Sequence, residues 1–321
     1  MPYQTGIATD ANNLLDKIVA WLQTIGWTVE SSAVGIAHVS KNGMFVNLRT
    51  TIGAVNPWAH SLLSGNPAST VIGLHLYVGS GYISGANWNA QPGGAIGNGA
   101  SYNVGVSARL HQGAINSYGF YSDATDNICI VFEGHPGIFS SIGWGRLNKV
   151  GIWTGGEYFY GPIPGNAFAS VDASEAGLGA NAYCPAAYGG RNSNSLFFVK
   201  ADVDSFVGKW LSSGTSTTAA QGYTGKNAAS SVPGATATPT DIASYVGLIN
   251  RATIDATLST ALFPVMLWVP RESGGYSLLG DLPEIYCTNA CNPPLNIPIG
   301  SVIQYGADDY TLYPNFAVKR V

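Results

Sequence analysis

The sequence predicts an α+β chain that is predominantly β: antiparallel sheets in a sandwich or barrel-like core, an N-terminal docking helix, and a second helix near residues 241–256. Three observations predict it. Short runs of β-branched and apolar residues, such as Asn127 to Glu133, recur between clusters of Gly, Asn and Ser. One Asn-Gly pair, Asn42-Gly43, sits between two such runs, which is the strongest short-range hairpin signal. The three-and-four apolar spacing of an amphipathic helix appears at two places, one near each end.

The first helix is expected from about Asn12 to Ile25. Thr9 or Asp10 caps it, satisfying backbone N–H groups that the first turn leaves unpaired. Gly26 supplies the left-handed residue that ends it. Leu14, Ile18, Trp21, Leu22 and Ile25 line one face, while Asp16, Lys17 and Gln23 occupy the other. A bare apolar face needs a cover, so Leu14, Ile18, Trp21 and Leu22 are expected contacts with a partner.

Strands follow at Ile36 to Ser40 and Met44 to Thr50, flanking the Asn-Gly turn, and at Val71 to Val78. Gly79 to Ala100 is rich in Gly, Asn and Ser and reads as a loop ordered by Trp88. Further strands are expected at Tyr102 to Leu110, Gly119 to Tyr121, Asn127 to Glu133 and Leu196 to Lys200. From Ser212 to Thr240 the composition turns to Ser, Thr, Ala and Gly, with Tyr223 the only aromatic. Such a stretch buries too little apolar surface to offset its ordering entropy, and it reads as a loop or as an arm ordered by a neighbour. Thr240 and Asp241 cap the second helix, Ile242 to about Ala256. Strands then close the chain at Phe263 to Val269, Glu284 to Cys287, Ser301 to Tyr305 and Tyr310 to Val318. The expected division is 1–30 as helix and docking segment, 31–211 as the main β domain, 212–240 as the arm, and 241–321 as an α+β region packing on the main domain.

Charge is scarce. Only 10% of the 321 residues are Asp, Glu, Lys or Arg, against roughly 25% in ordinary soluble domains. A lightly charged surface is cheap to desolvate and suits burial against other subunits. The 14 basic residues form no cluster dense enough to hold a phosphate backbone, so nucleic acid is not an expected partner. The densest apolar run, Leu262 to Val269, falls far short of the ~20 residues a membrane-spanning helix needs. The opening MPYQTGIATD has no basic and apolar leader, and synthesis in the cytoplasm without a signal peptide is the expectation.

Chemistry-bearing patterns are sparse. Cys287 and Cys291 are separated by three residues, with no histidine near; buried thiols or a disulfide remain open. His38, His60, His75, His111 and His135 include no local metal pair. Glu133 and His135 suit acid–base work, yet Pro136-Gly137 behind them is what a strand-ending turn requires. Gly93 to Gly99 lacks the Lys-Ser/Thr of a phosphate loop. Asp202/Asp204 and Asp308/Asp309 are carboxylate pairs that also read as turns. No G-x-S-x-G elbow occurs. The expectation is a non-enzymatic protein with no metal and no cofactor. Tyr82 and Trp88, beside Asn87 and Asn89, are the residues that would suit a host-surface glycan, by stacking and hydrogen bonding; alternatively Trp88 staples its own loop.

The most specific block is EGHPGIFSSIGWGRLNKVGIWTGGEYFYG, Glu133 to Gly161. Through Pro136, Gly137, Phe139, Gly143, Gly145, Leu147, Gly151, Trp153, Gly155, Gly156 and Gly161 it resembles a group of tailed-bacteriophage virion structural proteins. Tyr3, Thr5 and Gly6 ahead of a helix ending in Gly26-Trp27 are similar to the same group. So are Leu279-Gly280-Asp281-Leu282-Pro283 and the closing Tyr313-Pro314-Asn315. Ser212–Thr240 departs from it. The resemblance implies a place in the tail, baseplate or adhesion apparatus of a virion, beside other virion proteins and copies of the same chain in a ring. Physically, glycines let backbones approach or turn sharply, while Phe139, Trp144, Trp153 and Tyr158 offer large contact areas. The block therefore makes a tightly bent sheet or an interface. A receptor- or carbohydrate-binding module is the alternative role, and a polysaccharide-degrading enzyme a third.

Overall fold

The computed structural model describes residues 3–51, 73–93, 106–110, 113–135, 138–162, 195–202, 210–212, 253–255, 260–270, 276–288, 300–313 and 316–320. Asp10 turns an extended strand into a helix, its carboxylate accepting the Asn13 amide at 2.8 Å. Helix α1, Ala11–Thr24, then runs until Gly26 takes a φ of 84° and the Trp27 amide returns to the Leu22 carbonyl. These are the expected cap and stop.

The described strands build three antiparallel sheets. The middle sheet contains β1 (Tyr3–Ala8), β7 (Ile115–Ser122), β8 (Ile128–His135), β9 (Ile138–Arg146), β11 (Thr154–Pro162), β12 (Ser195–Asp202) and β13 (Trp210–Ser212), in that order. A second sheet is a simple meander of β2 (Thr28–Ala33), β3 (Ile36–Lys41), β4 (Met44–Thr51), β5 (Gly73–Gly79) and β6 (Val106–Arg109). The third runs β14 (Thr253–Asp255), β15 (Thr260–Pro270), β16 (Tyr276–Thr288), β19 (Phe316–Arg320), β18 (Asp308–Tyr313) and β17 (Val302–Tyr305), and the two-residue β10 (Asn148–Lys149) joins it beside β16. The predominantly β, antiparallel class is as the sequence predicts, and the sheets stay open rather than closing into a barrel.

Both faces of the middle sheet are covered, which explains its apolar strands. Phe120, Ile128, Ile130, Phe132, Trp144, Phe159 and Phe198 point into a first core shared with α1 and the second sheet. Their neighbours Tyr121, Cys129, Val131, Tyr158, Tyr160 and Val199 point into a second core shared with Val265, Leu267, Leu279, Ile285, Phe316 and Val318 of the third sheet. A period of two with both phases apolar is the signature of a strand buried on both sides.

Several expectations change. A strand, β1, precedes the helix and forms the edge of the middle sheet, so residues 3–30 pack as part of the body rather than as a separate docking segment. Tyr310 to Val318 is two strands, folded back with Tyr313 facing Phe316. Thr253–Asp255, expected in the last turn of the second helix, is strand β14 paired with β15; Thr253 and Ile254 are β-branched and suit a pleated surface better. The rest of that helix, and the arm beyond Ser212, lie outside the described residues. The Asn42-Gly43 turn is as predicted, with φ of 50° and 80°. It is fastened from outside: Lys41 pairs with Asp126 at 2.6 Å, Asn42 donates to Asp126, and Arg146 donates to the Asn42 carbonyl.

Candidate functional site

The central block settles into β8, β9 and β11 of the middle sheet. Gly143 lies opposite Tyr160, and Gly145 opposite Tyr158. A Cβ at Gly143 would sit 2.4 Å from the Tyr160 ring and 2.5 Å from the Ile128 carbonyl oxygen. At Gly145 the space belongs to the Asn127 amide, which accepts the Arg146 N–H at 2.6 Å. The motif's glycines thus leave room for rings and amides from neighbouring strands. In the second core the Tyr121 and Tyr313 hydroxyls meet at 2.7 Å, and burial pushes the Cys129 thiol up to about 12. Trp144 and Tyr158 of this block pack internally, one on each face of the sheet.

That placement turns six of the eight expected interface residues, Leu14, Ile18, Trp21, Leu22, Trp144 and Tyr158, inward. Leu14, Ile18, Trp21 and Leu22 are buried in the first core, where Trp21 packs on Phe120 at 5.4 Å between centroids. The helix face docks on the chain's own sheets. Trp144 is fully buried edge-on to Trp27, and Tyr158 is fully buried in the second core. Phe139 and Trp153 are partly buried against that same core.

One apolar element of the block does face outward. Between β10 and β11 the chain crosses from the third sheet to the middle one, and its tip presents Ile152 at 106% relative exposure and Val150 at 43%. Hydrogen bonds hold the tip in shape. Val150 N–H donates to the Leu279 carbonyl at 2.8 Å, Trp153 Nε1 to the Val150 carbonyl at 3.2 Å, and Lys149 Nζ to the Trp153 carbonyl at 3.0 Å. The Lys149 ammonium also lies 5.1 Å over the Trp153 ring. Local sequence signalled this tip only as the run Val150-Gly151-Ile152-Trp153.

The proposed glycan residues sit on residues 80–93, a flap over the outer face of the second sheet. Trp88 is 5% exposed, its ring edge-on to Tyr77 at 5.1 Å and its carbonyl accepting the Tyr77 hydroxyl. It is a staple, and a buried indole offers no stacking surface to a sugar. Tyr82 is half-buried with its ring 5.2 Å from His38, and Asn87 is exposed. The Asn89 side chain lies outside the described residues. Sequence reasoning missed Gln91, which organises the flap: its side chain accepts the Ile83 N–H at 2.7 Å and donates to the Ile83 and Ala86 carbonyls.

A shallow depression lies between the β7–β8 turn and the third sheet, lined by Asp123, Asn127, Glu284 and Lys319. Glu284 holds a φ of 59° directly after Pro283. Desolvation raises its pKa while Lys319, at 3.5 Å, opposes the rise. Lys319 also reaches Asp308 at 3.1 Å, so Asp308 begins β18 and anchors an ion-pair network. Asp123 is taken up by its own turn, accepting from the Thr125 and Asn127 amides at 2.8 Å each. Glu133 ends toward the β8–β9 hairpin, and the His135 side chain, like Asp204, lies outside the described residues. Among the described residues no group of three or more His, Cys, Asp or Glu is placed to hold a metal ion, and no helix is long and apolar enough to cross a membrane.

Fold and surface together define a three-layer antiparallel β scaffold with an outward apolar tip. No protein-family model matches the chain, and no curated protein matches it in sequence.

Proposed function

We propose that this chain is a non-enzymatic structural subunit of a tailed-phage virion, seated in its tail or baseplate, where it meets copies of itself and other virion proteins. The observation that carries the reading is the tip at 150–153. Among the described residues of the phage-like block, Val150 and Ile152 are large apolar side chains left exposed, and the isoleucine stands fully bare on a hydrogen-bonded loop anchored by Trp153. A rigid apolar projection loses little entropy on docking. The scarcity of charge, 10% of residues, lowers the desolvation penalty over the surrounding surface. The contact is therefore made by Val150 and Ile152, with Trp153 behind them, and the helix serves the interior.

Ile152→Glu tests this. The side chain touches solvent, so the thermal midpoint of the isolated chain is expected to stay within the range of ordinary surface changes. Incorporation into particles is expected to fall by roughly tenfold or more, because a carboxylate must then be desolvated without a partner. Wild-type incorporation of Ile152→Glu would remove the tip from the interface.

A further inference from the structure

The flap covers a polar floor. The inner face of the second sheet is apolar, with Val46, Leu48, Leu74 and Leu76 in the first core. The outer face, under residues 80–93, carries His38 from β3, Asn47 and Arg49 from β4, and His75 and Tyr77 from β5, with Asn47 in register with His38 and Tyr77, and Arg49 with His75. His75 is 0% exposed, with the Trp88 ring of the flap edge-on to it at 6.3 Å. Asn47 is also buried; its Oδ1 meets His38 Nδ1 at 2.6 Å, while its Nδ2 finds no acceptor. A buried donor without a partner costs roughly 1–3 kcal/mol, which water returns when the cover lifts.

Trp88 and Tyr77 pack into the first hydrophobic cluster, and hydrogen bonds fasten the flap at its middle and at its base. The Tyr77 hydroxyl donates to the Trp88 carbonyl and accepts the Gln91 N–H at 3.1 Å. The base is pinned by Ser80 N–H to the Pro92 carbonyl at 2.9 Å and by Trp210 Nε1 to the Gly93 carbonyl at 3.0 Å. Gly93, at a φ of 67°, lets the two arms of the base close, since a Cβ there would overlap Ser80. Residues 80–93 are thus joined to the sheets at both ends and at Tyr77, an arrangement that a charge buried beneath it can bias.

We propose that residues 80–93 are an acid-released cover: protonation of His75 beneath Trp88 lifts the flap and bares Trp88 with the polar floor of the second sheet. Arg49 on the neighbouring strand and Trp88 of the flap bear on His75; Tyr77 follows on its own strand, His38 lies beyond Asn47, and on the other side β6 places Ser107 in register with His75 and Arg109 with Gly73. Arg49 is a cation and opposes a second positive charge. Desolvation and the Arg49 field together lower the His75 pKa to about 3 with the flap closed. With the flap open the ring returns toward its ordinary value near 6.5. A depressed closed-state value means that the closed form is fully favoured above pH ~6.5 and loses ground as pH falls toward about 3.

Hydrogen exchange of the full chain tests the device. Protection of the Ser80, Ile83 and Gln91 amides, corrected for the intrinsic pH dependence of exchange, is expected to drop roughly 10- to 100-fold between pH 7 and pH 4.5. Protection at Val46 and Ile130 in the cores is expected to change far less. His75→Gln, or His75→Phe should that variant fold poorly, is expected to flatten the pH response of the flap. Arg49→Met is expected to weaken the response while the flap still closes. A flap whose protection falls only in step with the cores, or a response unchanged in both His75 variants, overturns the proposal.

Discussion

Gly143→Ala is expected to destabilise the chain by about 3 kcal/mol, at the upper end of what overpacking a core costs. The added methyl would sit 2.4 Å from the Tyr160 ring and 2.5 Å from the Ile128 carbonyl oxygen, so a side chain and a backbone strand must both give way. Neither has room to do so, because Tyr160 is buried between two sheets and Ile128 pairs across to β9. Chemical denaturation of wild type, Gly143→Ala, Tyr160→Leu and the double variant measures the coupling. The double variant is expected to be more stable than the sum of the single losses, since shortening Tyr160 empties part of the space the methyl needs. Strict additivity would mean that the glycine answers some other requirement than the tyrosine ring.

Trp144→Ala is expected to have an effect of similar size, about 3–5 kcal/mol, as large-to-small changes at buried aromatics do. Trp144 is 0% exposed and closes the first core against Trp27, 5.8 Å away between centroids. Trp153→Ala, at the tip, is expected to cost about 1 kcal/mol or less, because its ring is only partly buried and its main bonds are local to the loop. The two tryptophans are nine residues apart in one motif, so the contrast separates architecture from surface. Equal thermal midpoints for the two variants would contradict the placement of the block.

What the sequence reveals, and what it hides, follows the range of the interactions. The helix and the β3–β4 turn were legible because Asp10, Gly26, Asn42 and Gly43 act on neighbours a few residues away. The apolar stripe of α1 was equally legible, but its cover was not. A stripe reads the same whether the chain's own sheet or another subunit lies on it, and low charge made the outside partner attractive. Trp88 presents the same ambiguity. Its role was decided by Tyr77 on another strand and by Gln91, which local spacing does not tie to it. The spacing of the glycines was visible, whereas their reasons, Tyr160, Asn127 and Lys200, come only from strand pairing. Glu284 carried no signal at all; its left-handed backbone and its pairing with Lys319 arise where β16 meets β19.

The virion assignment is tested most directly by banding intact particles from a lysate of the source that encodes this chain and identifying their peptides by mass spectrometry. The account predicts that the chain's peptides travel with the particles, in fixed proportion to the tail subunits, through repeated purification. Recovery of the chain solely as a free soluble protein, with none in the banded particles, would contradict it.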